Sequence, residues 1–205
     1  MKQPPILWTL GALVLMLFIG PSCFAAELLN VQFGTDGSSR RSGPAAEGLS
    51  ASDYWNLYSR DIPGGGFKTL GQLADLKWAD QTPSGAGLIL ENAPGAWGNG
   101  FPDPMFGIYL YCFDGQPLTL SFTNLPAGTY DLLAYGHGGP PNVQNTAFEV
   151  ISAGVSHGSG RTSTRADWTN TVWTAGVHYV RFSGIPVYTN YPLVLVSRPD
   201  ARGMA

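Results

Sequence analysis

The chain has 205 residues, a formal net charge of −3 and only 12% charged residues. So few lysines and arginines argue against a nucleic-acid binder, which needs a basic surface to meet phosphates, and equally against binding to anionic membranes. The 27 glycines, 16 prolines and 12% aromatic residues are typical of a loop-rich extracellular β protein.

The first 25 residues have the pattern of a secretory signal peptide. Lys2 precedes an apolar run over residues 6–19, and small residues follow up to Ala25. The run is shorter than the roughly 20 residues that a membrane-spanning helix needs, although an uncleaved membrane anchor remains the alternative. We predict cleavage after Ala25, which removes one base and no acid and so changes the charge from −3 to −4.

The mature chain is therefore expected to be secreted, periplasmic or at the cell surface, without membrane contact after cleavage. Its length suits a single domain, residues 26–205. Cys112 is the one cysteine left after cleavage, so neither an internal disulfide nor a cysteine-based zinc site is expected. Its aromatic neighbours indicate a small buried hydrophobic side chain.

The stretch 118–135 is predicted to be the centre of the fold. Residues 118–123 alternate apolar and hydroxylated side chains, which is typical of a half-buried strand. Pro126 and Gly128 suit a tight turn, and residues 130–135 are apolar on both faces. We therefore predict an antiparallel hairpin whose second strand is central and covered on both sides.

Elsewhere, strands are predicted at 28–33, 73–78, 87–91, 147–151, 177–182 and 193–196. A helical turn capped by Ser52 or Asp53 would carry Tyr54, Trp55 and Tyr58, with Trp55 closing one end of the fold or stacking on a sugar. Residues 34–50, 92–104 and 154–170 are predicted loops, and 106–111 is a helical turn or a short strand. About eight strands without an ordinary helix predict an all-β fold, an antiparallel β-sandwich or jelly roll.

The predicted sandwich has one contiguous core. Inward positions on four of the strands carry large apolar side chains that should be buried together. They are Leu120, Phe122, Leu132, Val150, Val180 and Phe182.

Several segments together resemble secreted bacterial modules of the galactose-binding-like jelly-roll class. They are YWN at 54–56, LPAGTYD at 125–131, YGHG at 135–138 and YVRF at 179–182. The resemblance spans most of residues 28–196 and implies a carbohydrate-binding or cell-surface accessory module. Such modules often end with one more strand that pairs near the first. The residues up to Ala205 do not supply it, so the domain is expected to lack its last strand, and further domains of a longer chain are possible partners.

The resemblance also implies a structural calcium in many modules, for which Asp36 and Asp53 are the candidate ligands; no other cofactor is expected. An enzyme is disfavoured. Residues 154–158 match Gly-x-Ser-x-Gly around Ser156, but the sequence after them does not suit the helix that a nucleophile elbow requires. No spacing pairs two carboxylates for glycoside hydrolysis.

The favoured function is non-catalytic carbohydrate binding through loop aromatics, since flat rings stack on the apolar faces of sugars. Trp97, Trp168, Trp173, Tyr188 and Tyr191 lie in predicted loops or at strand ends. Candidate ligand-binding residues on three loops are Trp97, Asn99, His137, Asn142, Arg161 and Trp168. The partner would be a glycan or cell-surface polysaccharide; the alternatives are a surface or matrix protein-interaction domain and, less favoured, an accessory or fragment of a polysaccharide-active enzyme.

The leader prediction can be tested on exported protein. N-terminal sequencing should begin near Ala26, because the apolar run is too short to span a bilayer and ends in small residues. Membrane-bound protein that begins at Met1 would contradict it.

Overall fold

The computed structural model describes residues 27–35, 38–59, 70–93, 95–98, 103–111, 116–136, 145–163 and 172–200. The predicted signal peptide and Cys112 lie outside them. Among the described residues no helix has the length and apolar character to cross a bilayer. They form one four-residue helix, α1 (Pro104–Gly107), and twelve strands. The strands are β1 (Asn30–Gly34), β2 (Trp55–Ser59), β3 (Leu70–Leu73), β4 (Gly87–Glu91), β5 (Gly95–Gly98), β6 (Ile108–Tyr111), β7 (Leu118–Thr123), β8 (Gly128–Tyr135), β9 (Thr146–Ser152), β10 (Val155–Arg161), β11 (Tyr179–Val187) and β12 (Leu193–Pro199).

Six strands form one antiparallel sheet in the order β10-β9-β12-β7-β4-β3. Leu195 of β12 lies opposite Leu120 of β7 on one side and Val150 of β9 on the other, and Leu120 lies opposite Leu90 of β4. All four side chains are buried. One row of aliphatic side chains therefore crosses four neighbouring strands, which is the arrangement in which cross-strand contacts stabilise a sheet.

The remaining strands form three pairs, β8 with β11, β5 with β6, and β1 with β2. The first two are antiparallel and β1–β2 is parallel, so the fold is all-β and mostly antiparallel. Ala134 of β8 and Ile185 of β11 belong to the same buried cluster as Leu120 of the large sheet. The β8–β11 pair therefore packs on the six-stranded sheet through a shared core.

The predicted core is confirmed as one cluster. Leu120, Val150 and Phe182 are buried, and Phe122, Leu132 and Val180 are half-buried and packed against them. These positions follow the period-2 alternation of their strands; in β9, for example, alternate residues from Thr146 to Ser152 are buried.

The predicted central hairpin is wrong in its pairing. Both strands exist, but β7 lies in the six-stranded sheet while β8 pairs with β11. The connection turns at Asn124, whose φ is 55°, and then buries Leu125 in the core. Leu125 thus lies in the core at the point where the chain passes from the six-stranded sheet to the β8–β11 pair. Nor is β8 fully covered: Asp131 is exposed.

The helical turn predicted around Trp55 is also wrong, since this residue begins strand β2, parallel to β1. The Asn56 side chain explains the preference: its amide donates to the carbonyls of Asn30 and Lys77 at 2.9 and 2.8 Å, and its oxygen accepts from the Lys77 amide. Asp53 instead accepts from the amides of Leu49 and Ser50, both at 2.7 Å. Long-range hydrogen bonds thus override the local capping signal.

Two segments predicted as loops contain strands. Within 92–104, β5 pairs with β6, and the 106–111 region holds both the end of α1 and the strand β6. Within 154–170, β10 forms a hairpin with β9 through Ala153 and Gly154, whose φ values are 48° and 77°. Two positive-φ residues are what a type I′ hairpin turn requires. Of the strand predicted at 73–78, only its first residue lies in a strand, β3.

The shared core makes a stability prediction. Leu90→Ala should lower the free energy of unfolding by about 2–5 kcal/mol, because Leu90 is fully buried in the cross-strand row. Leu132→Ala should fall near about 2 kcal/mol, since this side chain is only half-buried. Leu49→Ala, at a position 55% exposed, is the control and should change it by no more than about 0.5 kcal/mol in denaturant unfolding. Equal losses at all three positions would contradict the assigned core.

Candidate functional site

The β9–β12 register divides the six-stranded sheet into two ends. At one end Pro199 lies opposite Thr146, and Arg161 of β10 lies opposite Ala147. We call it the loop end, because the segments 137–144 and 164–171 connect to the described residues there. At the opposite end Leu193 lies opposite Ser152, and Ser152 lies opposite Val155.

Hydrogen bonds tie the bases of these two loops together. The Thr162 hydroxyl donates to the Gly136 carbonyl and accepts from the Thr146 amide at 3.1 Å. The Gly136 amide donates to the His178 carbonyl at 3.4 Å. Thr162 is fully buried, so these bonds are shielded from water. The described residues that flank the segments 137–144 and 164–171 therefore lie close together.

Arg41 brings a third segment to this end. Its guanidinium forms an ion pair with Asp103, the residue that follows the 99–102 segment and caps α1. It also lies over two aromatic rings, 5.5 Å from the centroids of Trp55 and Trp173. Because the Arg41 side chain is only 13% exposed, both the ion pair and the cation–π contacts act in a partly desolvated setting.

Aromatic side chains form the floor of the loop end. The Tyr135 ring lies 5.5 Å from the Trp173 ring at 78° and 5.4 Å from the Tyr179 ring at 40°. Trp173 also meets His178 edge-on, with the ring centroids 6.0 Å apart. His178 is buried, and its Nδ1 accepts from the Thr174 amide at 2.9 Å, which fixes the ring. Such edge-on contacts hold the aromatic rings in fixed orientations.

Burial raises the pKa of Tyr135 to about 12. The Ala46 amide, which donates to the Tyr135 hydroxyl at 3.2 Å, and the nearby Arg41 charge oppose this shift; neighbouring Tyr179 and Glu47 add to it. The phenol therefore stays neutral at the base of the loop end, and it links the 45–47 segment to the aromatic floor.

The predicted site residues fall only partly within the described structure. Arg161 ends β10 at the loop end; its side chain is 72% exposed and lies 3.5 Å from the Asp200 carboxylate. Trp97 lies in β5 opposite Tyr109, with its side chain outside the described part. Asn99, His137, Asn142 and Trp168 lie outside the described residues. The site itself remains a prediction.

The other aromatic residues are divided between the two ends. Trp173 is half-buried at the loop end. Tyr188 and Tyr191 are 51% and 55% exposed in the turn before β12, and therefore lie at the opposite end. Trp55 is buried, and its ring nitrogen donates to the Gly43 carbonyl at 2.9 Å. It fills the interior beside Arg41, which agrees with a structural role for Trp55 and not with an exposed ring that stacks on a sugar.

Sequence analysis missed Arg41, Tyr135 and Tyr179 as neighbours of the candidate site. Arg41 was placed in a long loop without a role, and the two tyrosines were assigned to strands. A Tyr-Gly pair directly before a glycine-rich loop was the available signal, because it marks the point where a strand ends at a loop base.

The calcium and nucleophile hypotheses gain nothing from the described residues. The Asp53 carboxylate is already bonded to the amides of Leu49 and Ser50 and to the Ser50 hydroxyl. Asp36 lies outside the described residues, and those described contain no group of three metal-binding side chains. Ser156 lies on exposed strand β10 just after a hairpin turn, where a nucleophile elbow would need a strand-to-helix turn.

No protein-family model, curated protein or solved structure matches this chain.

The Tyr135 phenol gives a pH prediction. Alkaline absorbance titration of the folded protein should show one tyrosine ionising near pH 12, and Tyr135→Phe should remove that step. Because the pKa in the folded state exceeds the unfolded value of about 10, the contribution to stability is complete below about pH 10 and is lost as pH rises toward 12. The free energy of unfolding should fall over that interval in the wild type and less in Tyr135→Phe. A titration unchanged by the substitution would contradict the assignment.

Proposed function

We propose that this protein is a secreted, non-catalytic β-sandwich module of the galactose-binding-like jelly-roll class that binds a glycan or cell-surface polysaccharide at its loop end. In this proposal the six-stranded sheet is one layer, and β8–β11 with β1–β2 forms the facing layer. The supporting observation is the convergence of the bases of three loops on Trp173, Tyr135 and Arg41.

The chemistry of the loop end suits a sugar. A pyranose ring offers an apolar face that an aromatic ring can cover, and hydroxyls that amides, imidazoles and guanidiniums can bond. In our hypothesis Trp97 is the stacking platform and His137 or Arg161 orients the sugar. Asn99, Asn142 and Trp168 add further contacts. Arg161 suits its role because its side chain is 72% exposed and, among the described residues, is engaged by a single long contact, to Asp200.

The buried part of the loop end contributes preorganisation. Arg41 and the aromatic floor hold the loop bases through contacts already formed in the free protein. A binding surface carried by fixed bases loses less conformational freedom on binding than one built on free segments. The acidic net charge also favours a neutral or basic glycan over a polyanionic one.

A protein-interaction domain is the second candidate, supported by the opposite end of the sheet. Three apolar side chains there are largely exposed: Val155 at 60%, Tyr188 at 51% and Tyr191 at 55%. Tyrosine is a common anchor at protein interfaces. The two candidates therefore predict binding at different ends of the molecule.

A glycan array probed with the full mature chain and its variants separates them. Trp97→Ala should reduce glycan retention about tenfold or more, since removing an aromatic anchor commonly costs about 2 kcal/mol or more. Arg161→Ala should weaken retention without abolishing it. Tm should change little in either variant, because glycines surround Trp97 in sequence and the Arg161 side chain is exposed.

Tyr188→Ala is the matched control, an exposed aromatic residue at the opposite end. It should leave glycan retention unchanged. If Trp97→Ala unfolds the domain, Trp97 is structural and the platform hypothesis fails. If Tyr188→Ala alone removes binding, the opposite end is the functional surface. Absence of retention on every glycan would favour the protein-interaction function.

A further inference from the structure

An apolar cavity of about 300 Å³ lies between the six-stranded sheet and the strands β1 and β8. Its floor consists of inward side chains of the large sheet, and its walls are residues of β1, β6 and β8 together with Met105 of α1. The floor residues are Leu118, Leu120, Phe148, Leu193 and Leu195. Val31 and Phe33 of β1 and Leu132 of β8 line it while only half-buried, although each also packs on the core.

Two strands that line this cavity are each paired along one edge. β1 pairs with β2 along one edge, and β8 pairs with β11 along one edge. β1 and β8 both line the cavity but do not pair with each other. Within the described residues, no strand pairs with the other edge of β1 or with the other edge of β8. A strand edge carries a row of backbone donors and acceptors that can pair with another strand.

β1 and β8 run in the same direction. Glu27, just before β1, and Tyr130, near the start of β8, line the same cavity, and the Glu27 carboxylate adds to burial in raising the pKa of Tyr130. Farther along both strands, the Arg41 amide donates to the Gln32 side chain at 2.8 Å, and the Arg41 guanidinium lies over Trp173, which packs on Tyr135. One strand between them can therefore run antiparallel to both.

The charged residues that line the cavity are all acidic. Among the described lining residues they are Glu27, Glu47 and Asp131. Arg181 bonds Glu47 at 2.7 Å and Asp131 at 2.6 Å, whereas no side chain among the described residues forms an ion pair with Glu27. This rim favours an occupant with basic flanking residues and disfavours an anionic lipid.

We propose that the cavity is a strand-acceptor site. It takes one extended strand from a partner polypeptide, antiparallel to β1 and β8. Aliphatic side chains at alternate positions of that strand enter the cavity, and a lysine or arginine at its end meets Glu27. The main chain of the added strand bonds both open edges, a mode of binding called β-strand addition. The result is one sheet that contains β2, β1, the added strand, β8 and β11. The site adjoins the loop end, because Tyr135, Gly136 and Thr146 belong to both, but it does not depend on glycan binding.

Hydrogen exchange on the full chain tests the proposal. The probe is the synthetic peptide KTVTVTVK, with valine at alternate positions; the control peptide KTTVVVTK has the same composition without alternation. The probe should slow amide exchange at least about fivefold in residues 30–34 and 128–134 and leave residues 155–161 of β10 unchanged. Equal protection by both peptides, or by neither, would overturn the proposal.

A charge-reversal pair tests the orientation of the acidic rim. Glu27→Lys should weaken the binding of KTVTVTVK about threefold or more, and ETVTVTVE should restore it, because the rim charge is reversed. Glu91→Lys is the control, an exposed carboxylate that does not line the cavity. Lauric acid is the competing occupant. If it protects the same amides while the peptide does not, the cavity takes a small apolar ligand and the strand-acceptor proposal is wrong.

Discussion

The fold depends on strand β12, which pairs along both of its edges. It joins β7, β4 and β3 on one side to β9 and β10 on the other. Leu195 at its centre meets Leu120 and Val150, so the two halves of the sheet share one apolar row. Without β12 neither half would have its full set of backbone hydrogen bonds, and the floor beneath β8 and β11 would be missing.

The same strand organises the functional geometry. Pro199 at its end lies opposite Thr146, beside the bases of the two loops, while Leu193 at its start lies beside the exposed tyrosines. The sheet thus separates two surfaces of different character. One has a packed aromatic and cationic floor, and the other has isolated exposed apolar side chains. The proposals for glycan and protein binding follow this division.

Sequence patterns predicted the strands whose one face is buried, because burial leaves a period of two. Residues 87–91 and 147–151 illustrate this. Which strands pair with each other was less predictable, because Pro126 and Gly128 suit a hairpin turn and a crossing between sheets equally well. In the structure the chain crosses between sheets and Leu125 is buried in the core. The strands β5 and β10 gave no apolar pattern, since backbone pairing to a neighbour holds them.

The candidate site was predictable only as a set of loops. Glycine and proline mark where loops leave the strands, and this located the regions around Arg161 and Trp97. The contacts that join loop bases are long-range: Arg41 meets Trp173 from far along the chain, and Thr162 bonds Gly136 across two loops. No local pattern encodes such pairs, because they depend on which strands lie side by side.

The central position of β12 also bears on folding time. Its residues are synthesised after those of β7 and β9. The edges of these two strands that pair with β12 therefore stay unpaired until β12 has been made. Their contacts span long loops of chain, and proteins dominated by such contacts fold in milliseconds to seconds. During that wait the apolar, alternating segments of β7 and β9 can pair with other chains. The yield of native protein should therefore depend on chain concentration and on the rate at which residues 193–199 reach their place.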